Sequence, residues 1–166
     1  MIRRRRAAIW CTVLALTLLT GGPPASPASA AQRPPESASY LVTRVVDGDT
    51  IVLERIGRVR LIGVDTPESV DPRRPVQRFG QQAGDFTRRL VGGRRVSVEY
   101  DRARKDRYNR TLAYIYLADG TLVNAEIIRQ GYGVAYTRYP FRYLDEFRNL
   151  EREARGKERG LWAPVK

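Results

Sequence analysis

From position 40 the chain alternates apolar and polar residues in two runs. Val42, Val45 and Val46 mark the first, and Thr50, Ile51 and Val52 mark the second. Alternation rich in β-branched residues predicts strands. Asp47-Gly48-Asp49 lies between the runs and predicts a hairpin turn. Gly57 breaks the second run, and Arg58 to Val64 reads as a third strand, completing a meander. The period then changes. Val76, Phe79, Ala83, Phe86, Thr87 and Leu90 recur at helical spacing, and Gly92-Gly93 ends that amphipathic helix. Arg94 to Tyr100 and Arg110 to Leu117 alternate again, as fourth and fifth strands. Leu122 to Gln130 is a short second helix stopped by Gly131, and Val134 to Tyr139 is extended. Arg142 to Arg155 is a third helix whose inner face is Leu144, Phe147, Leu150 and Ala154. Gly160-Leu161-Trp162 folds the C-terminus back onto the body. This order predicts an α+β domain with a five-stranded sheet and three helices. Five strands of this length tend to curl into a barrel.

Ahead of the domain the pattern is that of an export leader. Arg3 to Arg6 form a charged region, and Ala7 to Thr20 an apolar one too short to span a bilayer comfortably. Ala28-Ser29-Ala30 is a small-residue cleavage pattern. Residues 1–30 are therefore expected to be a signal peptide cleaved after Ala30, with retention as an N-terminal anchor the alternative. Residues 31–39, with Pro34 and Pro35, form a disordered lead-in, and 40–166 the folded domain. The expected location is extracellular.

Composition narrows the chemistry. Lysine plus arginine number 30 against 18 acidic residues, a formal charge of +12. Such an excess suits a polyanionic partner, most simply nucleic acid, although an arginine-rich composition gives the same number. There is no histidine, which excludes imidazole bases and imidazole zinc sites. The one cysteine, Cys11, lies in the leader, so the mature chain has neither a disulfide nor a thiol nucleophile. Nothing demands more than a monomer.

Two carboxylate turns are the candidate chemistry. Asp47-Gly48-Asp49-Thr50 is by itself only a turn, and it lacks the spacing of an EF-hand loop. It gains meaning if Asp49 meets Asp65-Thr66-Pro67-Glu68 in space. Ca²⁺ takes several oxygen ligands, and Asp49, Asp65 and the Thr66 carbonyl supply three, with water for the rest. Glu68 then stands one shell out, free to orient or deprotonate a water. Composition alone singles out no arginine among so many. Arg60 on a strand and Arg110 directly after a loop are candidates, because paired guanidiniums neutralise charge building on a pentacoordinate phosphorus. Tyr108, Tyr136 and Tyr139 stand among these charges. They serve equally as stacking platforms for bases or as packing at a barrel rim.

At these residues the chain resembles the staphylococcal (micrococcal) nuclease family, also called thermonuclease. The pieces that carry the resemblance are Val46 to Thr50, Arg60 to Glu68, Asp106 to Arg110 with Leu112 to Tyr116, and Val123-Asn124 leading to Arg129-Gln130-Gly131. Four motifs in order, with suitable gaps, span about Tyr40 to Trp162. The resemblance implies an OB-fold barrel with three helices. It implies a Ca²⁺-dependent endonuclease that cleaves DNA and RNA to 3′-phosphates. It assigns Asp49, Asp65 and Thr66 to the metal, and Arg60, Glu68 and Arg110 to catalysis. Tyr108 and Tyr136 would flank the nucleotide. Three departures are visible. Arg73, Arg74 and Arg78 replace a lysine cluster, Asn109 replaces a glycine before the catalytic arginine, and Arg138 stands where a pocket tyrosine is expected. The alternatives are a non-catalytic nucleic-acid-binding barrel and a surface protein that binds acidic polysaccharide.

Overall fold

The structure, a computed structural model, describes residues 39–68 and 78–164. The expected leader, the lead-in up to residue 38, Arg73, Arg74 and the expected helix start at Val76 lie outside the described residues.

Strands β1 (Tyr40–Asp47), β2 (Thr50–Leu53) and β3 (Gly57–Leu61) form the expected meander. A two-residue strand β4 (Val64–Asp65) follows, then helix α1 (Gly80–Val91). Next come β5 (Arg95–Glu99), β6 (Thr111–Tyr116), helix α2 (Val123–Arg129), the short strand β7 (Val134–Ala135) and helix α3 (Leu144–Gly156). A 3₁₀ turn, Gly160–Trp162, ends the order. The barrel is closed in the order β1-β2-β3-β6-β5, with β1 pairing β5 through Tyr40–Val96 and Leu41–Arg95. The fold is thus the α+β, five-stranded OB-type barrel with three helices.

Alternation explains the core. Val42, Ile51, Leu53, Val59, Leu61, Val96 and Ala113 point inward and are at most 2% exposed. Each large apolar side chain so buried stabilises the fold by about 1.5–3 kcal/mol relative to exposure. Phe147 and Leu150 of α3 join the same core, alongside Ile127 and Ile128 of α2. The C-terminal turn packs back as expected. Leu161 N–H donates to the Gly131 carbonyl at 2.8 Å, and the Arg155 guanidinium lies 4.1 Å from the Trp162 ring centroid.

The elements differ from expectation chiefly in four places. The third strand does not run through to Val64. It turns at Ile62-Gly63, where Gly63 has φ 73°, and the chain leaves the barrel to pair Val64 with Ala135 and Asp65 with Val134. The first helix begins at Gly80, because Phe79 sits in left-handed backbone at φ 73°. Phe79 instead stacks on Tyr132 at 5.4 Å, beside Phe86 at 4.1 Å from the same ring. The extended stretch after Val134 forms a strand only through Ala135, and α3 begins at Leu144 rather than Arg142.

Candidate active site

The β1–β2 turn places Asp49 beside the end of β3. The Leu61 N–H donates to the Asp49 carbonyl at 2.9 Å, so β3 is anchored to the turn. Arg60, on β3, then meets both acidic turns. Its Nη1 lies 2.9 Å from Asp49 Oδ2, and its Nη2 donates to Asp65 Oδ1 at 2.9 Å. Nη1 also donates to the Val64 carbonyl at 2.6 Å. Asp49 is tied down further. Its Oδ2 accepts from the Thr66 N–H at 3.1 Å and the Thr66 hydroxyl at 3.2 Å, and its Oδ1 accepts from Thr50 Oγ1 at 3.0 Å. The structure therefore brings Asp49, Arg60, Asp65 and Thr66 together.

Two glycines let this loop approach. A Cβ on Gly48 would lie 2.7 Å from Thr66 Oγ1, and one on Gly80 would lie 2.7 Å from the Glu68 carbonyl. The first keeps the two turns in contact, and the second seats the start of α1 against the backbone of Glu68. Thr87 of α1 also donates its hydroxyl to the Gly48 carbonyl at 2.6 Å. The turn and the helix are thus one unit.

The electrostatics follow from this crowding. Burial pushes the Asp65 carboxyl above its ordinary range, Arg60 opposes the shift, and the neighbouring charges of Asp49 and Glu68 add to it. Asp49 and Glu68 both act on Asp65, and Arg60 offsets only part of that negative charge. Among the described residues, no three acidic, histidine or cysteine side chains make a complete metal cage by themselves. A cation here would need the Thr66 carbonyl and water as well as Asp49 and Asp65, an all-oxygen set of the kind that suits a hard divalent ion.

Arg110 arrives from the loop before β6. Asp106 fixes it twice: Oδ1 accepts from the Arg110 N–H at 2.9 Å, and Oδ2 from Arg110 Nε at 2.6 Å. Burial raises the Asp106 carboxyl, but the N–H groups of Arg110 and Tyr108 and the Arg110 guanidinium outweigh it and hold the group below the ordinary range. Asn109 has φ 60°, the left-handed turn that a glycine takes without cost. β6 pairs with β3 in parallel, Leu112 opposite Arg60, so Arg110 enters immediately ahead of the strand that neighbours Arg60's.

Sequence reasoning did not single out Asp106 as the clamp on Arg110, nor the work of Asn124. Asn124 is fully buried. Its side chain donates to the carbonyls of Ile62 at 2.9 Å and Ala113 at 3.2 Å and accepts from the Ile115 N–H at 3.0 Å. It pins the bend from which β4 carries Asp65 out of the barrel. The signal available was an asparagine one residue inside an apolar helix.

The tyrosines are less closely drawn together. Tyr108 is 64% exposed, with the Arg110 guanidinium 5.5 Å from its ring centroid. Tyr136 is held by its N–H to the Gly63 carbonyl at 2.9 Å, and its ring lies 6.2 Å from that of Tyr139. Among the described residues, no ring contact joins Tyr108 to Tyr136. Arg138, at the departure noted above, lies over Tyr139 at 5.8 Å. A cleft of about 500 Å³ lined by Tyr100, Asp101, Arg102, Pro140, Phe141 and Arg142 contains none of the expected site residues.

Comparison with known proteins gives the family. A family profile described as staphylococcal nuclease homologue matches residues 58–164. The chain is 45% identical over 130 residues to a thermonuclease of Staphylococcus intermedius, covering 75% of this chain and 76% of that one. It is 39% identical over 129 residues to a thermonuclease of Staphylococcus hyicus, covering 75% and 76%. It is 37% identical over 126 residues to the endonuclease YncB of Bacillus subtilis (strain 168), covering 72% and 59%. The match runs from the strand that carries Arg60 to the C-terminal turn, and this chain belongs to the staphylococcal nuclease family.

Proposed function

We propose that this chain is a secreted, Ca²⁺-dependent, sugar-nonspecific endonuclease that hydrolyses DNA and RNA to 3′-phosphate products. The observation that carries the reading is the convergence of Asp49 and Asp65, from separate turns, on one cationic point with Arg60 at its centre. The nuclease relatives support the substrate class. The charge pattern of residues 1–30 supports export.

Asp49, Asp65 and the Thr66 carbonyl are the groups that would hold Ca²⁺, which when bound supplies a positive charge beside the phosphate. Glu68 orients a water and takes its proton as the water oxygen bonds to phosphorus. The P–O5′ bond breaks, the O5′ oxygen leaves with a proton from solvent, and the phosphate stays on the 3′ side. Arg60 and Arg110 donate to the phosphate oxygens and stabilise the charge that grows on them. Tyr108 and Tyr136 flank the nucleotide. A carboxylate base accounts for hydrolysis by a chain without histidine.

The test is digestion of plasmid DNA and of RNA with Ca²⁺ and with excess chelator, run on the wild type and on Glu68→Ala. Cleavage is expected only with Ca²⁺. Glu68→Ala is expected to lose about 10²–10⁴-fold in kcat, the usual range for a general base, while still binding nucleic acid. Cleavage in excess chelator, or full turnover by Glu68→Ala, overturns the assignment. Binding without any turnover by the wild type supports the non-catalytic barrel instead.

A further inference from the structure

β3 carries a second outward arginine. Val59 and Leu61 are 0% and 1% exposed inside the barrel. Arg58 and Arg60 alternate with them and so share the outer face of the strand. They stand about 6.5 Å apart, from a rise of roughly 3.3 Å per residue.

The register extends this row in both directions. Arg58 is the partner of Val52 on β2, and Val52 is the partner of Arg44 on β1. Partners across an antiparallel pair share a face, so Arg44 lies on the same outer face as Arg58, two strands on. On the other side, β3 and β6 pair Val59 with Thr111. Continued one residue back, that parallel register sets Arg110, which immediately precedes β6, next to Arg58. Arg58 therefore neighbours both arginines assigned to the phosphate, and Arg44 continues the line away from them.

Arg44 and Arg58 are set apart by their alignment with the site, while in lacking a carboxylate partner among the described residues they resemble Arg89, Arg138 and Arg152. Arg60 and Arg110 are held by Asp49, Asp65 and Asp106. Elsewhere on the surface Arg88, Arg95, Arg129, Arg142 and Arg155 pair with carboxylates. Arg44 and Arg58 are exposed, and among the described residues neither has a carboxylate partner. The residue between them, Val52, is uncharged and places no acid in the row. Two un-neutralised guanidiniums aligned with a phosphate site attract further phosphates of the same strand.

We propose that Arg58 and Arg44 form a phosphate track across the β1–β2–β3 face, which takes the sugar-phosphate backbone of the substrate strand next to the scissile linkage. The proposal rests on the reading of the site given above, and the track recognises nucleotide phosphates rather than bases. It favours substrates longer than a dinucleotide.

The experiment has a binding arm and a turnover arm. Binding of a labelled single-stranded oligonucleotide is measured against salt without Ca²⁺, so that no cleavage intervenes. The variants are Arg44→Gln with Arg58→Gln, Arg44→Lys with Arg58→Lys, and Arg152→Gln on α3 as a charge control. Losing two phosphate contacts should flatten the log Kd against log salt slope by about 1.4, at about 0.7 per contact on a single strand. The lysine pair should retain the slope. In turnover, the ratio of kcat/KM on a polymer to that on a dinucleotide should fall several-fold in the glutamine pair. An unchanged slope, an equal loss in Arg152→Gln, or a parallel fall on both substrates overturns the track. A wild type that binds but never cleaves removes the hydrolytic reading alone, and a slope lost in the glutamine pair then still supports the track.

Discussion

Arg60 lies 2.9 Å from Asp49, a nearly buried ion pair between the third barrel strand and the turn that precedes the second. The pair joins the charge that would face a phosphate to the charge that would face a metal. Arg60 also reaches Asp65, so one guanidinium reports on both acidic turns.

Replacing Asp49 should therefore act on binding and on stability together. Asp49→Ala removes one carboxylate of the proposed cation site and leaves Arg60 and the Thr66 N–H each short of a partner. Arg60 keeps Asp65 and the Val64 carbonyl, so the loss of stability is expected at about 1–3 kcal/mol, the range for unpaired buried polar groups. Calorimetric titration should show weakened Ca²⁺ binding, and urea unfolding should show the lowered stability.

Asp106 should matter chiefly through Arg110, although it also accepts from the Tyr108 N–H. Asp106→Ala frees the Arg110 guanidinium and its N–H from the two bonds that aim them. We expect kcat to fall by about tenfold or more, because an unfixed donor stabilises the transition state less, with a smaller change in KM. Equal losses in both would mean that Asp106 only supports the loop.

Asn124→Leu should destabilise the fold by about 2–3 kcal/mol, because the Ile62 carbonyl and the Ile115 N–H lose a buried partner. Thermal unfolding checks this. The reduced stability should come with weaker Ca²⁺ binding, since Asn124 pins the bend that leads to Asp65.

Acid should loosen the junction between the barrel and α3. Burial raises the Asp101 carboxyl, but the Tyr114 hydroxyl and the N–H groups of Arg142 and Arg102 outweigh it and hold the group below the ordinary aspartate value of about 3.9. A depressed carboxyl contributes stability above that value and loses it as pH falls through the folded pKa. Unfolding curves below about pH 4 should therefore drop less steeply with pH for Asp101→Asn than for wild type.

Much of the barrel was legible because Val42, Ile51, Val59 and Val96 alternate with polar neighbours, and burial requires that alternation. The split at Ile62-Gly63 was not, because Leu61, Ile62 and Val64 read as one apolar run. The partner that draws Val64 away, Ala135, lies far along the chain. The helix start was misplaced for a similar reason. Phe79 falls on the helical apolar stripe, yet its left-handed backbone keeps it out of α1. The meeting of Asp49 and Asp65 was legible once the two turns were read as ends of neighbouring strands. The clamp by Asp106 was not, since a carboxylate in a charged loop looks the same whether it aims an arginine or faces water.

Asn109 turns through φ 60° one residue ahead of Arg110, and its Oδ1 accepts from Lys105 Nζ at 2.8 Å. Few side chains enter that conformation cheaply. A saturation library at this position, selected for activity, should return glycine, asparagine and aspartate and little else. β-branched residues should be the first lost, because their branched Cβ is crowded by the backbone at positive φ.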